Sequence, residues 1–196
     1  MNCPGAADPA LEEHIIALDP ARAGEMYPIG KLAAHEQNIR HKAISIFVFH
    51  DNRLLLQKRA DNKYHSGGLW TNTVCSHPRW QETSDACAAR RMQEELGWSV
   101  PLRHFGRIDY KARVGSLYEN EQVQCYVGET IELPALTALN PAEVAEVQWL
   151  DIPTILERIE QRPADFTEWF KIYLAEHHSL ITDLLSGSAR PPGAQG

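Results

Sequence analysis

Short spacings between cysteine, histidine and glutamate are the feature of this sequence most able to carry chemistry. Cys75 and His77 are two residues apart, and Glu119 and Glu121 flank a single asparagine. Residues two apart in a strand point to the same face, so each pair would present its two side chains together. Three imidazoles and two carboxylates form a mixed nitrogen and oxygen set suited to Mn²⁺, Mg²⁺ or Zn²⁺. The candidate ligands are His35, His41, His77, Glu119 and Glu121.

Chance is the alternative explanation for this set. The chain contains nine histidines, so some fall near one another without a shared function, and scattered surface residues would give the same pattern. The four cysteines, Cys3, Cys75, Cys87 and Cys125, show no zinc-type spacing, and each is by default a small buried hydrophobic residue. A role for Cys75 therefore needs evidence beyond its residue type.

Two adjacent carboxylates, Glu94 and Glu95, lie near the end of a helix predicted over residues 83–96. Thr83 can cap the start of this helix, and Gly97 can end it. Arg91 shares one helical face with the two glutamates, at spacings of three and four residues. A solvated helix face is the ordinary interpretation of such a group of charges.

The elements that would position these residues follow a simple order. The apolar pattern predicts strands over residues 15–18, 43–49, 53–59, 104–113, 121–129 and 144–150. It predicts a loop over 61–69 and further helices over 152–160 and 167–185. Strands, one helix, more strands and then helices indicate a single α/β domain with a mixed sheet. We expect a disordered N-terminus over residues 1–10, a domain over 11–185 and a flexible tail over 186–196.

The composition disfavours several classes of function. The chain has 196 residues and a formal net charge of -7, so we expect no nucleic acid partner. A polyanionic ligand would need a few locally placed cations or metal ions. We find no apolar run long enough to cross a membrane and no signal peptide. These features predict a cytoplasmic protein with no membrane partner, present as a monomer or weak homodimer.

The helix that carries the two carboxylates resembles the signature of the Nudix superfamily. That signature runs Gly, five residues, Glu, seven residues, and then Arg-Glu-apolar-x-Glu-Glu-x-Gly-apolar. The spacing is intact from Ser76 through Glu82 to Trp98, but Ser76 replaces the glycine and Arg91 replaces the first helix glutamate. Nudix hydrolases hold metals on that carboxylate cluster, so an arginine there argues against diphosphate hydrolysis and still allows diphosphate binding. The resemblance implies a Nudix-type α/β/α sandwich with a mixed sheet.

A second resemblance, to one branch of the superfamily, accounts for both departures from the signature, Ser76 and Arg91. Residues 70–78 read Trp-Thr-Asn-Thr-Val-Cys-Ser-His-Pro, and residues 119–121 read Glu-Asn-Glu. Together with His35 and His41, these strings are similar to the type 1 isopentenyl-diphosphate isomerases, a branch of the Nudix superfamily. The resemblance covers about residues 31–169 of the chain. Five residues separate His35 from His41, whereas many members of that family have six.

The resemblance implies a role for each matching residue. Cys75 and Glu121 would stand on opposite faces of the substrate alkene of isopentenyl diphosphate, one adding a proton and the other removing one, to give dimethylallyl diphosphate. Tyr110 would assist proton transfer, and Trp169 would place an aromatic face over the hydrocarbon. The implied metal ligands are the five candidates given above, with Glu95 as a ligand of a second ion, Mg²⁺, that bridges to the diphosphate. The implied diphosphate-binding residues are Lys31, Arg59, Lys63 and Arg91.

Two other functions fit parts of the sequence. A Nudix hydrolase of a nucleoside diphosphate derivative would use the carboxylate helix, but Arg91 and the string containing Cys75 and His77 count against it. A catalytically inactive binding domain would be expected to lose Cys75, Glu121 or the metal ligands, and all of them are present. Isomerisation of isopentenyl diphosphate is therefore the predicted function.

Overall fold

The computed structural model describes residues 14–22 and 24–182. The described strands are β1 His14–Leu18, β2 Met26–Gly30, β3 His41–His50, β4 Arg53–Arg59, β5 Trp70–Thr71, β6 Val74–Ser76, β7 Leu102–Val114, β8 Leu117–Glu129 and β9 Val144–Asp151. The described helices are α1 Lys31–Glu36, α2 Ser84–Leu96, α3 Ile152–Gln161, α4 Glu168–Glu176 and α5 His178–Thr182, with a short 3-10 helix at Pro163–Asp165. The ends predicted to be flexible, residues 1–10 and 186–196, lie outside the described residues.

The strands form one mixed sheet. β3 and β8 pair in parallel, with His41 opposite Glu121 at one end and Phe49 opposite Glu129 at the other. β3 also pairs antiparallel with β1, β4 and β6, while β7 pairs antiparallel with β8 and β9 with β4. The parallel pair thus brings two predicted ligands side by side although they are far apart in the sequence.

Helices cover both faces of this sheet. Phe47 of β3 packs in one core with Ile155 of α3 and Phe170 of α4. Its neighbour Ile46 points to the other face and packs with Met92 of α2. Burial of one such side chain stabilises the fold by about 1.5–3 kcal/mol, so the alternation along β3 holds a helical layer on each face. The chain therefore forms the single-domain α/β/α sandwich that the sequence predicts.

Helix α2 begins and ends as its sequence predicts. The Thr83 hydroxyl oxygen accepts a hydrogen bond from the Ala86 backbone N–H at 3.2 Å. Gly97 follows the last helical residue with φ +61°, a left-handed conformation that favours glycine. A Cβ atom there would lie 2.6 Å from the carbonyl oxygen of Ala138, so glycine is also needed for the close approach of that segment.

Other boundaries differ from the predictions. β7 and β8 extend further towards their common turn at Gly115, so Glu119 lies inside a strand and not before one. The prediction of one helix over residues 167–185 is wrong, because α4 ends at Glu176 and α5 begins at His178, and residues 183–185 lie outside the described part. His177 has φ -125°, which breaks the helical path between them. Helix α1 has only six residues, too few for a periodic pattern to indicate it.

No helix in residues 14–22 and 24–182 is both long enough and apolar enough to span a membrane.

Candidate active site

Five predicted ligands from separate elements meet at one end of the parallel β3–β8 pair. His35 comes from α1, His41 from the first residue of β3, and His77 from the residue after β6. Glu119 and Glu121 lie two apart on β8, and both side chains are buried. One ligand atom from each residue lies within 4.8 Å of the others. We call this group the imidazole–carboxylate cluster.

Backbone carbonyl groups orient two of the imidazoles. His35 Nδ1 lies 2.7 Å from the carbonyl oxygen one helical turn earlier, and His41 Nδ1 lies 2.8 Å from the carbonyl oxygen two residues earlier. Each Nδ1–H therefore donates, which leaves the Nε2 lone pair facing the cluster. Those Nε2 atoms lie 3.4 Å from Glu119 Oε2 and 3.5 Å from Glu121 Oε1. Both Nε2 atoms are buried without a hydrogen-bond partner among the described residues, so the donor set fits a divalent metal ion.

The protonation of these imidazoles depends on their neighbours. Burial lowers the pKa of His35, but the nearby Glu119 carboxylate outweighs it and raises the pKa above its ordinary value. Burial, followed by the charge of Lys31, holds the pKa of His77 well below its ordinary value. Metal binding requires neutral imidazoles, so a bound ion would replace the proton that Glu119 attracts to His35.

Glu121 is held at both carboxylate oxygens. His77 Nε2 lies 2.7 Å from Oε1, and the Tyr110 hydroxyl donates to Oε2 at 2.8 Å. Burial alone would raise the pKa of Glu121, but the nearby His41 imidazole outweighs burial and lowers the pKa to about 2. Burial and the charge of Glu121 raise the pKa of Tyr110 well above its ordinary range. Glu121 is therefore an ionised acceptor and Tyr110 a protonated donor.

Cys75 lies opposite Ser45 in the β3–β6 pair. Its thiol donates to Asn72 Oδ1 at 3.0 Å, and its sulfur lies 3.4 Å from Ser45 Oγ. The Asn72 amide in turn donates to Ser45 Oγ at 2.8 Å and to the Ile46 carbonyl oxygen at 2.9 Å. Burial raises the pKa of the Cys75 thiol to about 11, with a smaller opposing effect of the Ser45 hydrogen bond. The thiol is thus protonated at neutral pH and fixed in direction by a fully buried amide.

An aromatic wall completes the cavity. The indole of Trp169 donates its N–H to Thr71 Oγ1 at 2.8 Å and is almost fully buried. Cys75, Tyr110, Glu121 and Trp169 all line one narrow cavity. Acid, base and aromatic groups that face one buried space suit proton transfer to an apolar group.

A cleft lined by cations adjoins the cavity. Lys31 and His77 line both spaces, and Lys63 and Arg91 line the cleft together with Arg79 and Arg90. The guanidinium carbon of Arg59 lies 5.3 Å from the centroid of the Trp169 ring, inside the cavity. Burial, followed by the charges of Arg59, Lys63 and Arg91, lowers the pKa of Lys31 to about 8. Four predicted anion-binding residues therefore surround the passage from cavity to cleft.

Glu95 has a different environment from the five clustered ligands. Its Oε1 accepts from Arg91 Nη2 at 2.7 Å, and its Oε2 accepts from Gln57 Nε2 at 3.0 Å. Arg91 also donates to Glu94 at 2.8 Å and to Glu143 at 2.9 Å. The guanidinium thus lies among the carboxylates, in agreement with the sequence argument that Arg91 places a cation there. We call the following residues the arginine–carboxylate cluster: Glu82, Arg90, Arg91, Glu94, Glu95 and Glu143.

Sequence reasoning missed two residues that contact the site. Asn72 belongs to the string that the family resemblance quoted, but no pattern indicated that its amide would bond the Cys75 thiol. His65 lies in the predicted loop over 61–69 and lines the cavity. Burial is the largest cause that lowers the pKa of His65 to about 4, and the charge of Arg59 adds to it. Its position six residues after Arg59, in a loop that also carries Lys63, is the one signal that could have drawn attention to it.

Comparison with known proteins gives consistent results. The NUDIX domain family matches residues 39–170 of the chain. Isopentenyl-diphosphate Delta-isomerase of Jannaschia sp. is 46% identical over 162 residues, which cover 81% of this chain and 90% of that protein. The Rhodobacter capsulatus protein of the same name is 42% identical over 160 residues, which cover 81% of this chain and 90% of that protein.

Solved structures share the fold at much lower identity. A NUDIX hydrolase from Nitrosomonas europaea is 13% identical with a TM-score of 0.55, covering 79% of this chain and 95% of that one. A NUDIX hydrolase from Alicyclobacillus acidocaldarius is 15% identical with a TM-score of 0.54, and the match covers 76% of this chain and 97% of that one. These two structures bear on the fold alone.

Proposed function

The chain belongs to the isopentenyl-diphosphate Delta-isomerase family, and we propose that it interconverts isopentenyl diphosphate and dimethylallyl diphosphate by proton transfers at Cys75 and Glu121. The reaction moves a carbon–carbon double bond by one position in a five-carbon diphosphate used in isoprenoid biosynthesis. The substrate has an apolar end that must react and an anionic end that must be held. The cavity and the adjoining cleft match those two ends.

Proton transfer takes place at the apolar end. One group adds a proton to the terminal alkene carbon, the other removes a proton from the carbon on the far side, and positive charge develops on the tertiary carbon between them. The protonated Cys75 thiol and the ionised Glu121 carboxylate together hold the single proton that this exchange requires. Glu121 and Trp169 are buried and Cys75 is half-buried, and all three line the same cavity, which limits the access of water to the developing cation. A cation over an indole face gains about 2 kcal/mol or more when it is desolvated.

The imidazole–carboxylate cluster would hold Mn²⁺, Mg²⁺ or Zn²⁺ next to the base. A divalent ion held there would fix the orientation of Glu121 and lower its proton affinity. Tyr110 holds the second oxygen of that carboxylate through its hydroxyl group. The unpartnered Nε2 atoms of His35 and His41 are the observation that supports this part of the proposal.

The diphosphate end would lie in the cleft. Lys31, Lys63 and Arg91 line it, and Arg59 lies at the cavity side. We infer that Glu95, which now accepts a hydrogen bond from Arg91, would be the carboxylate that holds a Mg²⁺ ion for the diphosphate. Local cations and this ion would allow an acidic protein to bind a polyanion.

The observation that carries the proposal is the shared lining of the two spaces. The acid–base pair and Trp169 face the cavity, the cations face the cleft, and Lys31 and His77 belong to both. The test is to incubate purified protein with isopentenyl diphosphate and either Mg²⁺ or Mn²⁺. We expect dimethylallyl diphosphate, detected by its lability in acid. No product with any divalent metal, together with phosphate release from a panel of nucleotides, would show a hydrolase instead.

A further inference from the structure

His65 is a cavity-lining imidazole to which the proposed mechanism gives no role. Its side chain is 9% exposed, and its Nε2 lies 3.6 Å from Glu119 Oε1. Its ring meets the Trp169 indole edge-on, with centroids 5.9 Å apart and planes at 86°. One ring therefore lies between a predicted metal ligand and the aromatic wall over the substrate.

Glu119 Oε1 is the atom that lacks a partner. It is buried, and no described residue forms a hydrogen bond with it. The other oxygen, Oε2, faces His35 Nε2 at 3.4 Å, inside the imidazole–carboxylate cluster. A buried carboxylate oxygen without a donor is unfavourable, and carboxylates that bind metals are usually hydrogen-bonded on their second oxygen.

The surroundings of His65 allow its Nε2 to be the donor. Ser66 Oγ lies 3.4 Å from His65 Nδ1, so the serine hydroxyl can donate to that nitrogen and place the ring proton on Nε2. His65 does not belong to the set of five residues whose ligand atoms lie within 4.8 Å of one another. The ring thus faces a ligand from outside the cluster.

We propose that His65 is a positioning residue: when the cluster holds its metal, the Nε2–H of His65, which lies 3.6 Å from Glu119 Oε1, donates to that oxygen, while its ring packs edge-on with Trp169. It thereby orients a metal-binding carboxylate and the aromatic wall with a single side chain. This inference rests on the proposed metal centre. It predicts that loss of the His65 donor weakens metal binding without removing a ligand.

The test measures Mn²⁺ binding to the metal-depleted full chain by calorimetric titration. His65→Leu removes the donor and keeps an apolar side chain, and we expect Mn²⁺ affinity to fall about 10–100-fold. His65→Gln can place an amide N–H near the position of Nε2, and we expect it to restore affinity to within about threefold of the original chain. His104→Leu is the matched control, because His104 is exposed and contacts Gln124 away from the site.

A second readout separates positioning from ligation. Pulsed electron paramagnetic resonance of bound Mn²⁺ counts coordinated imidazoles, and we expect the same count in His65→Leu and the original chain. A lower count would overturn the proposal in favour of direct ligation. Unchanged affinity in His65→Leu, or equal weakening in His65→Gln, would also overturn it.

Two further outcomes keep the test decisive. If His65→Leu does not fold, as judged by its thermal unfolding, His65→Asn replaces it, since that shorter amide does not reach Glu119. Equal Mn²⁺ affinity for His65→Asn and His65→Gln would then overturn the hydrogen bond. Failure of the original chain to bind Mn²⁺ would overturn the metal centre as well, so the two failures are distinguishable.

Discussion

The two charged clusters of this domain both contain buried glutamates but surround them with different partners. In the imidazole–carboxylate cluster, buried Nε2 atoms of His35 and His41 face carboxylates, and no described residue satisfies them. In the arginine–carboxylate cluster, Glu95 is equally buried, but both of its oxygens accept hydrogen bonds. The first cluster could take up a cation from outside, whereas the second contains the guanidinium groups of two arginines.

A single residue accounts for much of this difference. Arg91 lies on α2 at the position of the first helix glutamate of the Nudix signature, and it bonds Glu94, Glu95 and Glu143. The fold is shared with NUDIX hydrolases, yet the helix that carries their signature is neutralised here by a guanidinium. Of the two clusters, the imidazole–carboxylate cluster is therefore the one with donor atoms available for a metal ion.

Removal of the acid–base pair should have the largest effect. Because Glu121 and Cys75 line the same cavity and form the proposed acid–base pair, we expect Glu121→Gln and Cys75→Ala each to lower kcat by roughly 10²–10⁴-fold. The measurement is turnover of isopentenyl diphosphate, with thermal unfolding as a check on the fold. Cys87→Ala removes a thiol buried against the opposite face of the sheet and should leave kcat unchanged. Full activity in Cys75→Ala would show that the assigned pair is wrong.

Removal of the internal cation should weaken the fold. Arg91→Ala leaves the buried Glu95 carboxylate without its charged partner, which we expect to cost about 3–5 kcal/mol in the free energy of unfolding. Urea denaturation measures this, and the double variant Arg91→Met with Glu95→Gln should recover much of the loss. Arg162→Ala breaks the exposed pair with Asp165 and should cost no more than about 1 kcal/mol. An equal loss in the free energy of unfolding for Arg91→Ala and Arg162→Ala would show that Arg91 is not the internal cation that distinguishes its cluster.

The sequence predicted the parts of the fold that depend on local chemistry. Helix α2 has the cap at Thr83 and the end at Gly97 that its residues indicate. The strand around Phe47 alternates between two cores because alternate positions face opposite sides of a sheet. The predicted long helix failed at His177, where the sequence contains neither glycine nor proline to mark the break.

The geometry of the site depended on contacts between distant segments. Spacing alone offered five candidate ligands but could not join His41 to Glu121, because that contact comes from the parallel β3–β8 register. The family resemblance supplied the set, and the structure adds that Nε2 is the nitrogen of His35 and of His41 to which no described residue bonds. His65 was not predicted, since its relation to Glu119 arises from the folded position of a loop.

The aromatic wall, Trp169, lines the same cavity as Glu121 of the imidazole–carboxylate cluster, where it takes the place of water next to that carboxylate. Trp169→Phe and Trp169→Leu both remove the N–H that bonds Thr71, so a difference between them isolates the aromatic face. We expect Phe to retain about 30-fold more kcat than Leu, which corresponds to about 2 kcal/mol of cation stabilisation. Turnover is compared at equal stability, established by thermal unfolding. Equal kcat in the two variants would remove the aromatic argument.

Lys31 connects the two clusters, and its titration should give the smallest effect. Its carbonyl oxygen accepts from His35, while its side chain lies in the cleft that Arg91 lines. Burial and neighbouring cations lower its pKa to about 8, so the ammonium is charged below that pH and neutral above it.

A neutral Lys31 no longer attracts the diphosphate. We therefore expect KM for isopentenyl diphosphate to rise about tenfold between pH 7 and pH 9, with a much smaller change in kcat. Lys31→Arg stays charged over this range and should make KM nearly independent of pH. The measurement is KM and kcat for both chains by steady-state kinetics between pH 7 and pH 9. The same rise in KM for Lys31→Arg would assign the titration to another group. Lys31 would then keep its charge over this pH range, as Arg91 does beside the carboxylates of α2.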